Sequence, residues 1–147
     1  DKTDPDVIQP YRNIIDDAYV TSGLRHWVHQ HNVGVAFFSP LKHGLLTGKY
    51  MEPPTFPEGD FRSSVPEFSD PFFLGKIREA SKTLTSTFST HPQPLLHGLL
   101  DVLLTDTPTG CVLLGQRSVA QVEAAARAGT EMAKSDAEWV RSLYRAC

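Results

Sequence analysis

Two short apolar runs, Val33 to Phe38 and Cys111 to Leu114, constrain this chain more than any other feature. The first reads Val-Gly-Val-Ala-Phe-Phe and the second Cys-Val-Leu-Leu, and neither alternates with polar residues. A strand with one wet face alternates; a continuous run predicts burial on both faces, as in a parallel sheet covered by helices. A third strand is expected at Val7-Ile8-Gln9, ending at Pro10, which has no N–H for the ladder. Cys111 is then expected to be buried in its strand and inert.

Helical patterns fill the intervals. Leu24, Trp27 and Val28 recur at helical spacing before an Asn32-Val33-Gly34 stop. Asp16 and Asp17 either form a carboxylate pair or begin a helix over 18–31 as its N-terminal acids, and the second is favoured. Asp70-Pro71 opens a helix whose Phe73, Ile77, Ala80 and Leu84 share a face. Leu95 to Leu104 is apolar nearly all round and predicts a buried helix, stopped at Asp106-Thr107-Pro108. Ser118 with Gln121, and Ser135 with Glu138, predict capping boxes opening helices over 119–129 and 136–145. Ala124-Ala125-Ala126 predicts close helix packing, and Trp27 and Trp139 are expected in the core. Strands alternating with helices point to parallel βαβ units. The Pro- and Gly-rich stretch 42–69 is expected to be an unstructured, functional or mobile connection.

With 147 residues the chain has the length of one domain. Its 14 Lys and Arg against 17 Asp and Glu leave a net charge of −3 and no basic footprint for nucleic acid. No apolar run reaches the ~18 residues of a membrane span. Two cysteines, Cys111 and Cys147, are too few for a disulfide framework, so a reducing, cytoplasmic setting is expected. The chain opens on Asp1 with no leader pattern after it, which predicts a removed segment or a piece of a longer chain.

Two stretches carry chemistry. In Phe37-Phe38-Ser39-Pro40-Leu41-Lys42-His43-Gly44-Leu45-Leu46-Thr47-Gly48-Lys49-Tyr50 a strand ends in a loop of glycines, hydroxyls and lysines. Such a loop suits an anion, and equally an ordinary βα turn with glycines at positive φ. It is not a P-loop: Gly44 and Gly48 are separated by three residues, and Tyr50 stands where Ser or Thr is needed. In Leu114-Gly115-Gln116-Arg117-Ser118-Val119-Ala120-Gln121 a strand feeds a helix start bearing Arg117. That too suits a phosphate, or only a capped helix with a solvated arginine.

Taken together, Ser-Pro-Leu-x-x-Gly-x-Leu-Thr-Gly-Lys-Tyr followed by Gly-x-Arg-Ser-x-x-Gln resembles the aldo-keto reductase family, and the likeness runs over almost the whole chain. It implies an α/β fold, a partial (β/α)8 TIM barrel: residues 1–147 as the C-terminal portion, roughly the last three βα units with a C-terminal helix. It also implies an oxidoreductase reducing carbonyls with NADPH, and NADP(H) as cofactor. Gln9 matches the residue that holds the nicotinamide carboxamide. Ser39, Pro40, Leu41, Gly44, Leu46, Gly48 and Lys49 match the loop around pyrophosphate and ribose. Gly115, Arg117, Ser118 and Gln121 match the adenosine and 2′-phosphate segment, and Arg62 lies in reach by sequence.

The departures are as informative. Where the family carries Glu-Asn beyond the matched Gln121, this chain has Ala124-Ala125, with Glu123 one place early; Arg12 replaces the tyrosine usual before Asn13. The family's catalytic Asp, Tyr, Lys and His have no matched position, so the chain alone is expected not to reduce carbonyls, which needs a placed acid. The resemblance implies as partners a nicotinamide cofactor, a small carbonyl substrate if completed, and a missing N-terminal half-barrel or a second copy. Two alternatives are a non-catalytic assembly module of the same fold and a dinucleotide- or phosphate-binding domain without redox chemistry. No metal site is expected: on a helix His31 faces away from His26 and His29. His43, His91 and His97 have no partner legible in the sequence.

Overall fold

The computed structural model describes residues 5–145, so Cys147 lies outside the described residues. Three strands, β1 (Val7–Ile8), β2 (Gly34–Phe37) and β3 (Gly110–Val112), form one parallel sheet in the order β1-β2-β3. Ile8 pairs with Val35 and Phe37 with Val112, which puts these four on one face. There they join a core that includes Tyr19, Val28, Ile77, Leu84 and Leu99. The other face is open: Val7 is 61%, Leu113 42% and Phe38 39% exposed. Cys111 is also exposed, contrary to expectation. Helices cover only one side of the sheet, and β1 and β3 are both edges, so β3 is not buried on two faces. Nor does Pro10 end the pairing. Its carbonyl accepts from the Phe38 N–H (3.1 Å), the Arg12 N–H donates to the Phe38 carbonyl (3.2 Å), and Tyr11 bridges Phe38.

The helix expected over 18–31 is two, α1 (Ala18–Thr21) and α2 (Leu24–His31), divided at Gly23 with φ 82°. Asp16 and Asp17 do not serve the helix end; their carboxylates accept from Lys42 and Arg12. Helix α3 (Pro71–Thr87) begins as expected: Asp70 accepts from the Phe72 and Phe73 N–H groups, and Leu74, Ile77, Ala80 and Leu84 are buried. The buried apolar helix is interrupted, running as α4 (Pro94–Leu96), a π turn (His97–Asp101) and α5 (Val102–Leu104). A side chain on Gly98 would sit 2.8 Å from the Leu84 Cδ1, so the turn packs directly on α3.

Helix α6 (Val119–Ala125) buries none of its residues, so the alanine run makes no close packing. Ser118 caps it by accepting from the Gln121 N–H, but Gln121 reaches back to the Arg117 N–H (2.6 Å) rather than to Ser118. In α7 (Lys134–Tyr144) the second capping box does not form, because the helix starts before Ser135, with Met132, Ala137, Val140 and Tyr144 buried along it. Trp27 is half-buried and packs against the core, whereas Trp139 is exposed, in a T-shaped contact with Phe88, and is not a core residue. The 42–69 connection is not structureless. It holds three 3-10 turns, Lys42–Thr47, Phe61–Ser64 and Pro66–Ser69, and a small core of Leu45, Phe68 and Leu74 flanked by Tyr50 and Phe56.

Two polar networks lock the fold. Arg12 is fully buried, its guanidinium over both the Tyr19 and Phe37 rings (4.7 and 4.8 Å), which also meet each other edge-on. Its guanidinium donates to Asp17, to Asp106 and to the Leu103 carbonyl (2.7 Å), tying the segment after β1 to the end of α5. In the second network the buried Asp101 accepts from the Gly129 N–H (2.9 Å), the Thr130 N–H (3.2 Å), the Thr130 hydroxyl (2.9 Å) and His97 Nδ1 (2.7 Å). His91 Nδ1 accepts from the Gln93 N–H, so its Nε2 carries the proton and donates to Thr130 Oγ1 (3.1 Å). His91 and His97 thus have partners after all, Gln93 and Asp101 close by and Thr130 far along the chain.

Candidate functional site

Because the three strands are parallel neighbours, the segments that follow them emerge along one rim. Gln9 is exposed at the end of β1. After β2 the backbone makes an unusually left-handed turn. Ser39, Lys42 and His43 have φ of 57°, 46° and 58°, beside Gly44 at 86° and Gly48 at 67°. The Lys42 N–H donates to the Ser39 carbonyl, the Gly44 N–H to the Leu41 carbonyl, and the Thr47 hydroxyl to the Gly44 carbonyl (2.7 Å). Ser39 Oγ is buried with no hydrogen-bond partner. Lys49 arches over Gly44, its Nζ 3.5 Å from where a β-carbon there would stand.

The other matched positions in this loop face inward. Leu46 and Pro40 are buried and Leu41 is half-buried. Gly48 lies against α3, where a β-carbon would meet Ser81 Oγ at 2.6 Å. These residues shape the turn rather than line its surface. After β3, by contrast, Gly115, Arg117, Ser118 and Gln121 are all exposed. Residues 60–62 lie against the first turn. Phe61 sets its ring edge-on to His43 (4.5 Å between centroids), and Arg117 is near enough to Asp60 to help lower its pKa. Arg62 is engaged: it forks onto Asp60, with Nη2 to Oδ2 at 2.5 Å, and lies over the Phe56 ring. That fork first, and the charge of Arg117 last, hold the Asp60 carboxyl down at about 2.

Several groups at this rim left no sequence signal. Lys42, nearly buried, reaches Asp16 (2.7 Å) and Glu67 (2.8 Å), which stand well away in the chain. Burial opposes the charge of Asp16, but the hydrogen bonds from Lys42, Asn13 and Tyr11 together with the Lys42 charge outweigh it and lower the pKa; Glu67 is lowered chiefly by the same ammonium. Lys42 is raised, its two carboxylate partners outweighing burial, and His43 is lowered by burial, then by Lys42 and Arg62. Phe38 offers an aromatic surface at the tip of β2, braced edge-on by Tyr11 (5.3 Å).

The carboxylate and histidine shifts act in one direction on stability, whereas the raised Lys42 loses its contribution only as pH climbs past the ordinary lysine range. Carboxylates depressed on folding, and a histidine depressed on folding, both bind more protons in the unfolded chain, so acid destabilises. Asp16, Asp60, Glu67 and Asp106 belong to the first kind; for Asp106 burial is outweighed by Arg12, Arg25 and Arg141 acting together. The urea midpoint followed by tryptophan fluorescence is expected to decline slightly below pH ~6.5 as His43 protonates. It should fall steeply from pH ~4 toward the Asp60 value of about 2. A midpoint unchanged between pH 6 and 3 contradicts the paired geometry.

Elsewhere, a groove of about 490 Å³ lined by Thr47, Gly48, Ser81 and Leu95 runs along α3, apart from Gln9, Ser39 and Arg117. Among the described residues, ligand atoms of His91, His97 and Asp101 lie within 4.8 Å of one another. Thr130 Oγ1 already bonds to all three, so the cluster is complete as a hydrogen-bond network. His29 and His31 are not joined: one meets the Asp106 carbonyl, the other stacks on Trp27.

The sequence matches the family model described as Aldo/keto reductase family over residues 1–145. It is 33% identical over 60 residues to the NADP(+) aldo-keto reductase yakc of Schizosaccharomyces pombe, covering 41% of this chain and 18% of that protein. It is 32% identical over 91 residues to aldo-keto reductase str7 of Strobilurus tenacellus, covering 62% and 27%. Among solved structures it superposes on glycerol dehydrogenase AKR11B4 of Gluconobacter oxydans with a TM-score of 0.78 at 25% identity, covering 93% of this chain and 41% of that one. The chain therefore spans well under half the length of each of these relatives. Among the described residues no helix is long and apolar enough to cross a membrane.

Proposed function

The chain belongs to the aldo/keto reductase family, and from that premise we propose that it is the C-terminal, cofactor-holding portion of a (β/α)8 barrel that reduces carbonyls with NADPH. The observation that carries this reading is the parallel order of β1, β2 and β3, from which the turns after β2 and β3 leave along one rim. A nicotinamide dinucleotide fits the residues present: the buried Ser39 hydroxyl has no protein partner and suits a pyrophosphate oxygen. Gln9 would hold the carboxamide, and Phe38 would lie against a flat ring. Lys49 and Arg117 would take the phosphate charges, with Gly44, Gly115, Ser118 and Gln121 framing them. Leu41, Leu46, Pro40 and Gly48 would fix the turn from beneath.

When bound, the cofactor supplies hydride to the carbonyl carbon. This chain's own part is to anchor and orient it; it offers no placed acid for the carbonyl oxygen, so on its own it is inactive. The preference for NADPH rests on Arg117 and Lys49. The open face of Val7, Phe38, Cys111 and Leu113 would be covered by the further strands of a barrel. The test is a titration of the chain with NADPH, read by fluorescence of Trp27 and Trp139. A saturable change is expected, with Arg117→Ala weakening binding about tenfold and more for NADPH than for NADH. No saturable change removes the reading. A decline of the nicotinamide absorbance faster than in buffer, on adding aldehydes, removes the claim of inactivity.

A further inference from the structure

We propose that Lys42 is a positioning residue: its ammonium clamps the left-handed turn after β2 between Asp16 and Glu67, and so presents Ser39 to the cofactor's phosphates. This deepens the cofactor reading and rests on it. Lys42 is 7% exposed, and its Nζ lies 2.7 Å from Asp16 and 2.8 Å from Glu67. One cation thereby joins the segment after β1, the turn after β2 and the 3-10 turn Pro66–Ser69.

The backbone shows why a clamp is needed. Lys42 has φ 46° between Ser39 at 57° and His43 at 58°. A left-handed conformation is strained for a non-glycine residue, and such strain persists only where the surroundings over-determine it. A glycine would adopt this conformation freely, yet a lysine stands here with its charge fixed by two carboxylates. Its own N–H donates to the Ser39 carbonyl (3.0 Å), so a displacement of Lys42 is passed directly to Ser39. The same ammonium neutralises two acids that would otherwise stand together beside a turn meant for anions. Tyr11, which donates to Asp16, and His43 and Arg62 complete the charged and titratable surroundings. Lys42 is nearly buried and fully engaged, so it acts through Ser39 and does not touch the ligand.

Four variants of the whole chain separate the clamp from its alternatives. Lys42→Met keeps the stem and loses the charge; Lys42→Arg keeps a cation that can bridge two carboxylates. Lys42→Gly removes the strain and the anchor together. The triple variant D16N/K42M/E67Q leaves no unpaired acid, and serves if Lys42→Met alone does not fold. Amide hydrogen exchange over 39–48 reads the clamp without any ligand, and NADPH titration reads its consequence. Faster exchange and at least tenfold weaker binding are expected in the Met, Gly and triple variants, with Arg within about threefold of wild type. Exchange and affinity unchanged in the Met and Gly variants overturn the proposal. Faster exchange in those variants, with no saturable NADPH response even in wild type, overturns the cofactor reading and leaves the clamp standing.

Discussion

Arg12→Met is expected to lower the unfolding free energy by about 3–5 kcal/mol, the range for breaking a buried, hydrogen-bonded ion pair by removing one partner. The methionine refills most of the volume beside Tyr19 and Phe37, so cavity formation contributes little. What is lost is the fork onto Asp17 and Asp106, the bond to the Leu103 carbonyl and the two ring contacts. The carboxylates left behind are about one-quarter and one-fifth exposed, and the Leu103 carbonyl loses the Arg12 N–H. Asp106 keeps Arg25 (2.9 Å), which limits the damage on that side. Arg25→Met supplies the contrast. Its side chain is 42% exposed, and the exposed pair should be worth under about 1 kcal/mol. Urea unfolding of both variants at pH 7 measures the difference. Equal losses would mean that the Arg12 network merely fills space.

Asp101→Asn is expected to cost about 3 kcal/mol, close to the Arg12 effect and for a different reason. The carboxylate accepts from two backbone N–H groups, a hydroxyl and an imidazole, all converging on two oxygens. An asparagine keeps the shape but turns one acceptor into an NH2 group that faces donors, leaving buried N–H groups unpaired. Thr130→Val, which removes the hydroxyl linking His91 to Asp101, should cost about 1–2 kcal/mol. Thermal and urea unfolding of the two variants give the order. An Asp101→Asn loss below that of Thr130→Val would show that the hydroxyl, not the carboxylate, organises the cluster.

These two networks also mark where reading the sequence stops. The strands, their parallel order and helix α3 follow from continuous apolar runs and from Asp70-Pro71, because burial and capping act over a few neighbouring residues. The glycine-bearing turn after β2 is legible for the same reason: Gly44 and Gly48 take the positive φ that their residue type allows. The family resemblance implies a use for that turn.

The rest depended on partners far apart in the chain. Nothing near Lys42 announces Asp16 or Glu67, and nothing near Arg12 announces Asp106. His91 and His97 stack on each other, and the hydroxyl that bonds to both belongs to Thr130, more than thirty residues further on. Cys111 shows the converse. Its run of apolar neighbours promises burial, yet whether a strand face is covered is decided by which elements pack on it, and here only one side of the sheet carries helices. Local periodicity and capping chemistry are properties of adjacent residues, so the sequence alone determined the three strands, helix α3 and the alternation of strands with helices, though not the breaks inside the other helices. Long-range charge pairing and the covering of faces arise only when distant segments meet, so the tertiary structure alone decided the clamp at Lys42, the buried networks and the open face.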